Sequence, residues 1–322
     1  MPNPDSAILP QTRPPEFEVR IAPPDITDWL GGNIGLPGFS SFRGPRPGPH
    51  VAILALTHGN EFAGAIVLDR LLREGLRPLR GMLTLGFCNI AAFERFNPAH
   101  PTTSRFIDED FNRIWDRDVL DGTRESYELE RARAIRPVID TVDVLLDLHS
   151  MLWPSDPLIL SGISGKGRAL AATIEVPDLV VADQGHLGGR RIIDYHRFQD
   201  TATSAAANLL EAGQHWQPET VDLSERAVLS MLRGYGLIAG AATAPGPQRR
   251  VAEVTHVITA ATSSFAFVQL FRGGDVVARR NTLIAMDGTS EIRTPYDNCL
   301  LVMPSLRPSR GHTAVRLARF QA

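Results

Sequence analysis

Apolar positions divide the chain into two styles of segment. His50–Leu56 (HVAILAL) is an unbroken apolar run of strand length, the pattern of a strand buried on both faces. Glu61–Arg73 follows, with Ile66, Val67, Leu71 and Leu72 at helical spacing and Gly75 as a stop. Further strands are expected at Met82–Phe87, Val142–Leu148, Asp156–Leu160, Leu179–Ala182 and Ala205–Leu210. Helices are expected over Tyr127–Val138, Gly167–Ile174 and Leu223–Arg233. Strands alternating with helices imply a mainly parallel sheet with helices on both faces.

The pattern changes at both ends. Residues 1–48 are rich in Pro and Gly and should be irregular, with one short strand expected at Phe17–Ile21. Gly240–Arg250 reads as a linker. Beyond it come short strands at Val251–Ile258, Phe265–Phe271, Val276–Ala278, Thr282–Met286, Cys299–Met303 and Ala314–Leu317, separated by Gly and Pro turns. The expected division is therefore an α/β domain over 1–245 and a small all-β domain over 246–322.

Composition narrows the function classes. The chain has 322 residues, 43% hydrophobic, with a formal net charge of −3. Near neutrality argues against nucleic-acid binding by bulk electrostatics. No apolar run approaches the roughly 20 residues that span a bilayer. Met1–Asp5 lacks the basic and apolar regions of a secretory signal, and two widely separated cysteines, Cys88 and Cys299, make no disulfide framework. A cytoplasmic location is expected, with no nucleic-acid or membrane partner; homo-oligomer formation stays open.

Four polar clusters carry candidate chemistry. His58 and Glu61 lie three apart in Leu56-Thr57-His58-Gly59-Asn60-Glu61, where a buried strand gives way to a helix. Alone, such a pair serves more often as a cap or as surface polarity than as a metal site. Asp147-Leu148-His149 ends a second buried strand, and by itself His149 is equally well a core histidine. In a parallel sheet, however, the carboxyl ends of the strands share one edge, so His58, Glu61 and His149 can meet. Two His and one Glu with an open fourth position form a catalytic zinc set. The segment Arg105-Phe106-Ile107-Asp108-Glu109-Asp110-Phe111-Asn112-Arg113 places two arginines and an asparagine among three acids; a solvated loop is the plainer reading, and carboxylate binding by Arg the sharper one. Glu211, following Ala205–Leu210, falls on the same sheet edge, where a carboxylate can act as general base.

Taken in order, these fragments resemble the succinylglutamate desuccinylase/aspartoacylase family of the zinc-carboxypeptidase-like clan, over roughly residues 50–240, and the β unit after residue 245 resembles its usual appendage. The resemblance implies a zinc-carboxypeptidase-like mixed sheet plus a C-terminal β domain over the active-site mouth. It implies one zinc ion on His58, Glu61 and His149, with Glu211 activating the zinc-bound water and Arg105 polarising the scissile carbonyl. Asn112 and Arg113 would hold a substrate carboxylate, and Asp147 would orient a ligand. The implied reaction is hydrolysis of the amide of a small N-acyl amino acid or similar compound. A metallo-carboxypeptidase acting on short peptides, or a non-catalytic zinc protein of the same fold, are the alternatives.

The chain departs from the family in three places. Phe111 stands where the family motif has Leu. Thr201 stands where the aspartoacylase branch has an additional carboxylate-binding Arg, for which Arg190, Arg191 and Arg197 are the nearby substitutes. Tyr296 is the only tyrosine in the β unit to set against the branch's C-terminal Tyr. The acyl group and the amine therefore stay open. Among other residues, Gly162–Gly167 has the wrong spacing for a phosphate loop. His186 and His196 read as surface-loop residues, and His256 as a strand residue.

Overall fold

The computed structural model describes residues 17–185, 188–242 and 249–321. Expectations for the first five residues, for His186 and for most of the 240–250 linker fall outside this range. The strands are β1 (Phe39–Arg43), β2 (His50–Ala55), β3 (Met82–Phe87), β4 (Val144–Met151), β5 (Leu158–Leu160), β6 (Leu179–Ala182), β7 (Ala206–Gln214), β8 (Arg250–Thr259), β9 (Phe265–Phe267), β10 (Val276–Val277), β11 (Leu283–Asp287), β12 (Ser290–Arg293), β13 (Cys299–Val302) and β14 (Thr313–Phe320). The α-helices are α1 (Ala63–Arg73), α2 (Ile90–Glu94), α3 (Arg117–Asp121), α4 (Tyr127–Ile139), α5 (Gly165–Ala171), α6 (His196–Gln199) and α7 (Pro218–Gly234). No described helix is long and apolar enough to cross a membrane.

Eleven strands form one sheet, in the order β1-β3-β2-β4-β7-β5-β6-β8-β14-β13-β10. β3, β2, β4 and β7 run parallel, β5 runs against β7, and β6 pairs parallel with β8. β8, β14, β13 and β10 then continue the same sheet in antiparallel fashion, while β12, β11 and β9 form a second, smaller sheet. This is the mixed α/β architecture expected. The C-terminal strands extend the main sheet as well as building the small one.

The unbroken apolar runs of β2 and β4 are explained by burial on both faces: every residue of both strands is buried. On one face, Val67, Leu68 and Leu71 of α1 pack with Val221, Val228 and Met231 of α7. On the other, Leu129, Ala132, Ile135 and Ile139 of α4 cover Leu54 and Leu145. The i, i+3, i+4 spacing of these apolar residues buries one stripe of each helix. Ser126 caps α4 by accepting the Leu129 N–H at 3.0 Å, and Pro218 occupies the first turn of α7.

Several local expectations are corrected. Phe17–Ile21 is not a strand: among the described residues no strand pairs with it, and it is held by an Arg20 N–H bond to the Trp216 carbonyl, by edge contacts of Phe17 with Trp153 and Trp216, and by packing of Phe17, Val19 and Ile21 on the core. Within the Pro/Gly-rich opening, β1 forms instead, because β3 offers it an antiparallel edge. The helix expected from Glu61 starts at Ala63, which leaves Glu61 in the turn before it. The strand expected to stop at Leu210 runs to Gln214, so Glu211 lies inside β7.

Candidate metal and catalytic centre

The site is built on the carboxyl edge of the central strands. β2 ends at Ala55 and Leu56 turns the chain with φ 59°, a left-handed conformation unusual for a branched side chain. The turn carries Thr57–Glu61 over the sheet edge. Gly59 sits where a Cβ would come within 2.4 Å of the Ala92 and Phe93 backbone and 2.5 Å of the Ser104 carbonyl, so no other residue fits. Its N–H donates to the Arg105 carbonyl at 3.0 Å, which joins this turn to the arginine loop.

β4 supplies Asp147 and His149, two positions apart and so on one face. Register places His149 opposite Glu211 on the parallel neighbour β7. His58, Glu61 and His149 are all buried, and donor atoms from the three lie within 4.8 Å of one another. The Glu61 carboxylate sits between the imidazoles: Oε1 is 2.8 Å from His58 Nδ1 and Oε2 is 3.0 Å from His149 Nδ1. Oε2 also accepts the Ser150 N–H at 3.1 Å.

The outer ring nitrogens meet carboxylates as well. His149 Nε2 lies 2.7 Å from Asp147 Oδ2, whose other oxygen accepts the Thr57 hydroxyl at 2.7 Å. His58 Nε2 lies 2.9 Å from Asp110 Oδ1 and 2.9 Å from Arg105 Nη2. With both nitrogens of His149 facing carboxylates, the ring either holds two protons or presents a lone pair to a cation. Burial opposes its charge, but Asp147 and Glu61 outweigh burial and hold the His149 pKa well above the ordinary range. Burial likewise works against the Glu61 charge, yet His58 and His149 hold its pKa well below the usual carboxylate range. A compact His-Glu-His donor set, each His backed by a carboxylate, suits a divalent ion of the zinc type.

The expected catalytic and binding residues surround this set. Arg105 Nη1 donates to Glu61 Oε1 at 2.9 Å, and Nη2 reaches Asp110 at 3.3 Å. Glu211 is 6% exposed, and its Oε2 is buried without a hydrogen-bond partner. Burial pushes its pKa up to about 8, against the pull of His149 and with the Glu61 charge adding to the rise. Arg113 points Nη1 at the Asn112 carbonyl, 2.6 Å away, and is 3.9 Å from Asp110. Asn112 spends its side-chain oxygen on the Ile192 N–H at 2.8 Å, so only its NH2 is left to donate.

The candidate substitutes for the additional arginine are engaged elsewhere. Arg191 is bonded to Asp183 and Asp194, Arg190 to Asp116, and Arg197 to the Val142 carbonyl. The Tyr296 hydroxyl lies 2.6 Å from Thr255 Oγ1, and Arg319 covers its ring.

Glu128 and Arg316 are not legible in the sequence reading, and His215 enters it only as the last residue of Leu210–His215. Glu128, fully buried at the start of α4, accepts the N–H groups of Ile107, Asp108 and Glu109 and the Asn89 side-chain amide, and so shapes the arginine loop. In the sequence it resembles an ordinary acidic first-turn residue. His215 Nδ1 lies 2.7 Å from the Ser150 hydroxyl, beside the N–H that binds Glu61; burial pushes its pKa down to about 4. Arg316 is a buried arginine on β14, visible in the sequence only as a charge within the apolar run Ala314–Ala318.

Residues 47–156 match the family model of the succinylglutamate desuccinylase/aspartoacylase catalytic domain. This stretch contains His58, Glu61, Arg105, Asn112, Arg113 and His149. Over that stretch the chain is similar to the catalytic domain of that family. Among family proteins, it is 33% identical over 120 residues to the aspartoacylase of Xenopus tropicalis, covering 33% of this chain and 35% of that protein. It is 37% identical over 128 residues to a probable aspartoacylase of Nostoc sp., covering 34% and 41%. These alignments span well under half the length of either relative. The fold likeness is broader. A succinylglutamate desuccinylase from Vibrio cholerae superposes with a TM-score of 0.68 at 15% identity, over 88% of this chain and 85% of that one. An aspartoacylase family protein from Mesorhizobium loti gives 0.62 at 18% identity, over 90% and 97%.

Proposed function

We propose that this protein is a zinc-dependent amidohydrolase that removes the acyl group from a small N-acyl amino acid or similar compound. The observation that carries the reading is Glu211: a buried carboxylate with a free oxygen, in register with His149 beside a His-Glu-His donor set. Zinc held by His58, Glu61 and His149 would supply Lewis acidity, activating water and drawing electrons from the scissile carbonyl.

The chain's own groups account for the rest. Glu211 takes a proton from the attacking water and returns it to the leaving amine, a task suited to a carboxyl group whose burial lifts its pKa toward neutrality. Arg105, half-buried, holds its charge because Asp110 and Glu61 lie against it, and it stabilises the oxyanion as that charge develops. Arg113, with the Asn112 amide beside it, holds the substrate α-carboxylate at a fixed distance from the carbonyl. Asp147 and Asp110 fix the orientation of His149 and His58. Strands β2, β4 and β7 keep Asp147, His149, Glu211 and the turn that carries His58 and Glu61 on one sheet edge, and the Gly59 N–H bond to the Arg105 carbonyl ties the arginine loop to that turn.

A panel of N-acyl amino acids incubated with the zinc-loaded protein tests the proposal, with amine release as the readout. Release from at least one member supports it. Release only from peptides with a free C-terminus would replace it with a carboxypeptidase reading.

A further inference from the structure

Two residues that the mechanism does not use, His215 and Trp216, converge on Glu61. They follow β7 directly, and both are buried. Trp216 has φ 60°, a left-handed backbone that is costly for a bulky aromatic residue and persists only where its surroundings enforce it. Its indole Nε1–H donates to the Asn60 carbonyl at 2.9 Å, in the peptide bond that precedes Glu61. The residue after Glu61 rests on the same indole. The Phe62 ring lies 4.8 Å from the Phe96 ring, and Phe96 lies 6.2 Å from Trp216, between centroids. Both chain neighbours of Glu61 are therefore held by Trp216, one by a hydrogen bond and one through packed rings.

His215 holds the carboxylate end of the same residue. β4 and β7 are in register at His149 and Glu211 and again at Met151 and Gln214, so Ala212 and Gly213 stand opposite Ser150 alone. Gly213 takes φ 136° at this bulge, a conformation that favours glycine. The Ser150 N–H donates to Glu61 Oε2 at 3.1 Å, and the Ser150 hydroxyl lies 2.7 Å from His215 Nδ1. The His215 N–H in turn donates to the Met151 carbonyl at 2.8 Å. His215 thus bonds two consecutive residues of β4 and fixes the amide that binds the Glu61 carboxylate.

We propose that Trp216 and His215 are positioning residues for Glu61. Trp216 fixes the backbone of the turn, and His215, through Ser150, fixes the carboxylate. Glu61 then meets the metal already oriented, so the pair contributes to metal affinity and coordination geometry rather than to proton transfer. This role rests on zinc being held by His58, Glu61 and His149, and not on which amide is hydrolysed.

The test reads zinc affinity by chelator competition, and the visible absorption of the cobalt-substituted protein, at a temperature where circular dichroism shows every variant folded. Trp216→Phe keeps an aromatic ring and removes the Nε1–H. His215→Ala removes the bond to Ser150, whereas His215→Asn places an amide near the Nδ1 position. Trp216→Phe and His215→Ala should each weaken zinc binding by about tenfold or more and shift the cobalt spectrum, and His215→Asn should recover most of both. Trp29→Phe is the control: it loses an indole bond to Asp69, 2.7 Å long in wild type, and should bind zinc as wild type does. Wild-type zinc affinity and cobalt spectrum in Trp216→Phe and His215→Ala overturn the proposal. An equal loss in Trp29→Phe also overturns it, because the effect would then be one of general stability. Should Trp216→Phe fail to fold, the two His215 variants still decide whether this corner of the fold positions Glu61. Zinc affinity that depends on Trp216 and His215, in a protein that hydrolyses no N-acyl amino acid, would sink the deacylase reading and sustain the positioning role.

Discussion

His149 and Glu211 are paired in register across the parallel strands β4 and β7. Neighbouring parallel strands project paired side chains to the same side of the sheet. A metal-type ligand and an unpartnered carboxylate are thus fixed relative to each other by backbone hydrogen bonds rather than by a loop. Glu211→Gln preserves size and leaves His58, Glu61 and His149 in place. The variant should keep its fold and its zinc content yet lose about 10²–10⁴-fold in kcat. Steady-state kinetics at saturating zinc check this, and near wild-type turnover would remove Glu211 as the base.

Arg105 and Arg113 should fail in different ways. Arg105 contacts Glu61 directly, whereas Arg113 comes no nearer than 3.9 Å to Asp110 and lines a neighbouring polar cavity of about 570 Å³ with Asp183 and Asp194. Arg105→Ala should mainly lower kcat, by about 10²–10³-fold, because oxyanion charge exists only in the transition state. Arg113→Ala should mainly raise KM for substrates with a free α-carboxylate, by roughly ten- to hundredfold. Amidation of that carboxylate should weaken the substrate for wild type and add little to the defect of Arg113→Ala. Equal hydrolysis of acid and amide by wild type would exclude Arg113 as a carboxylate clamp.

Glu128 offers a prediction about the loop rather than the chemistry. Its carboxylate accepts three consecutive backbone N–H groups, at 2.7, 3.0 and 3.2 Å. Glu128→Gln turns one acceptor into a donor facing N–H groups. The cost should be about 1–3 kcal/mol in chemical denaturation, with a parallel loss of kcat as Arg105 loosens. Unchanged stability and activity would mean that the loop holds its shape without Glu128.

Much of the centre was legible in the sequence because its residues sit on strongly patterned elements. His58 follows an uninterrupted buried strand, and Asp147 and His149 lie on another; a parallel sheet gathers such ends on one edge. The course of the chain beyond residue 245 was less legible. That β8 pairs with β6, and so continues the main sheet, depends on a long-range strand pairing that local alternation does not encode. Phe17–Ile21 misled because its alternating apolar residues pack on the core, Phe17 against Trp153 and Trp216, instead of joining a ladder. Glu128 and Arg316 were missed for a related reason: their roles are set by partners distant in the chain, Ile107–Glu109 and Asp183.

In the proposed reaction, His58, Glu61 and His149 hold zinc and Glu211 serves as base in hydrolysis of an amide. The most direct measurement is amine release from N-acyl amino acids by one protein sample as purified, after removal of metal by chelation, and after restoring one equivalent of zinc. Activity should disappear on chelation and return at one zinc per chain, with His149→Ala neither binding the equivalent nor recovering activity. Amide hydrolysis that persists in the metal-stripped protein, or stoichiometric zinc retained by His149→Ala, would contradict it.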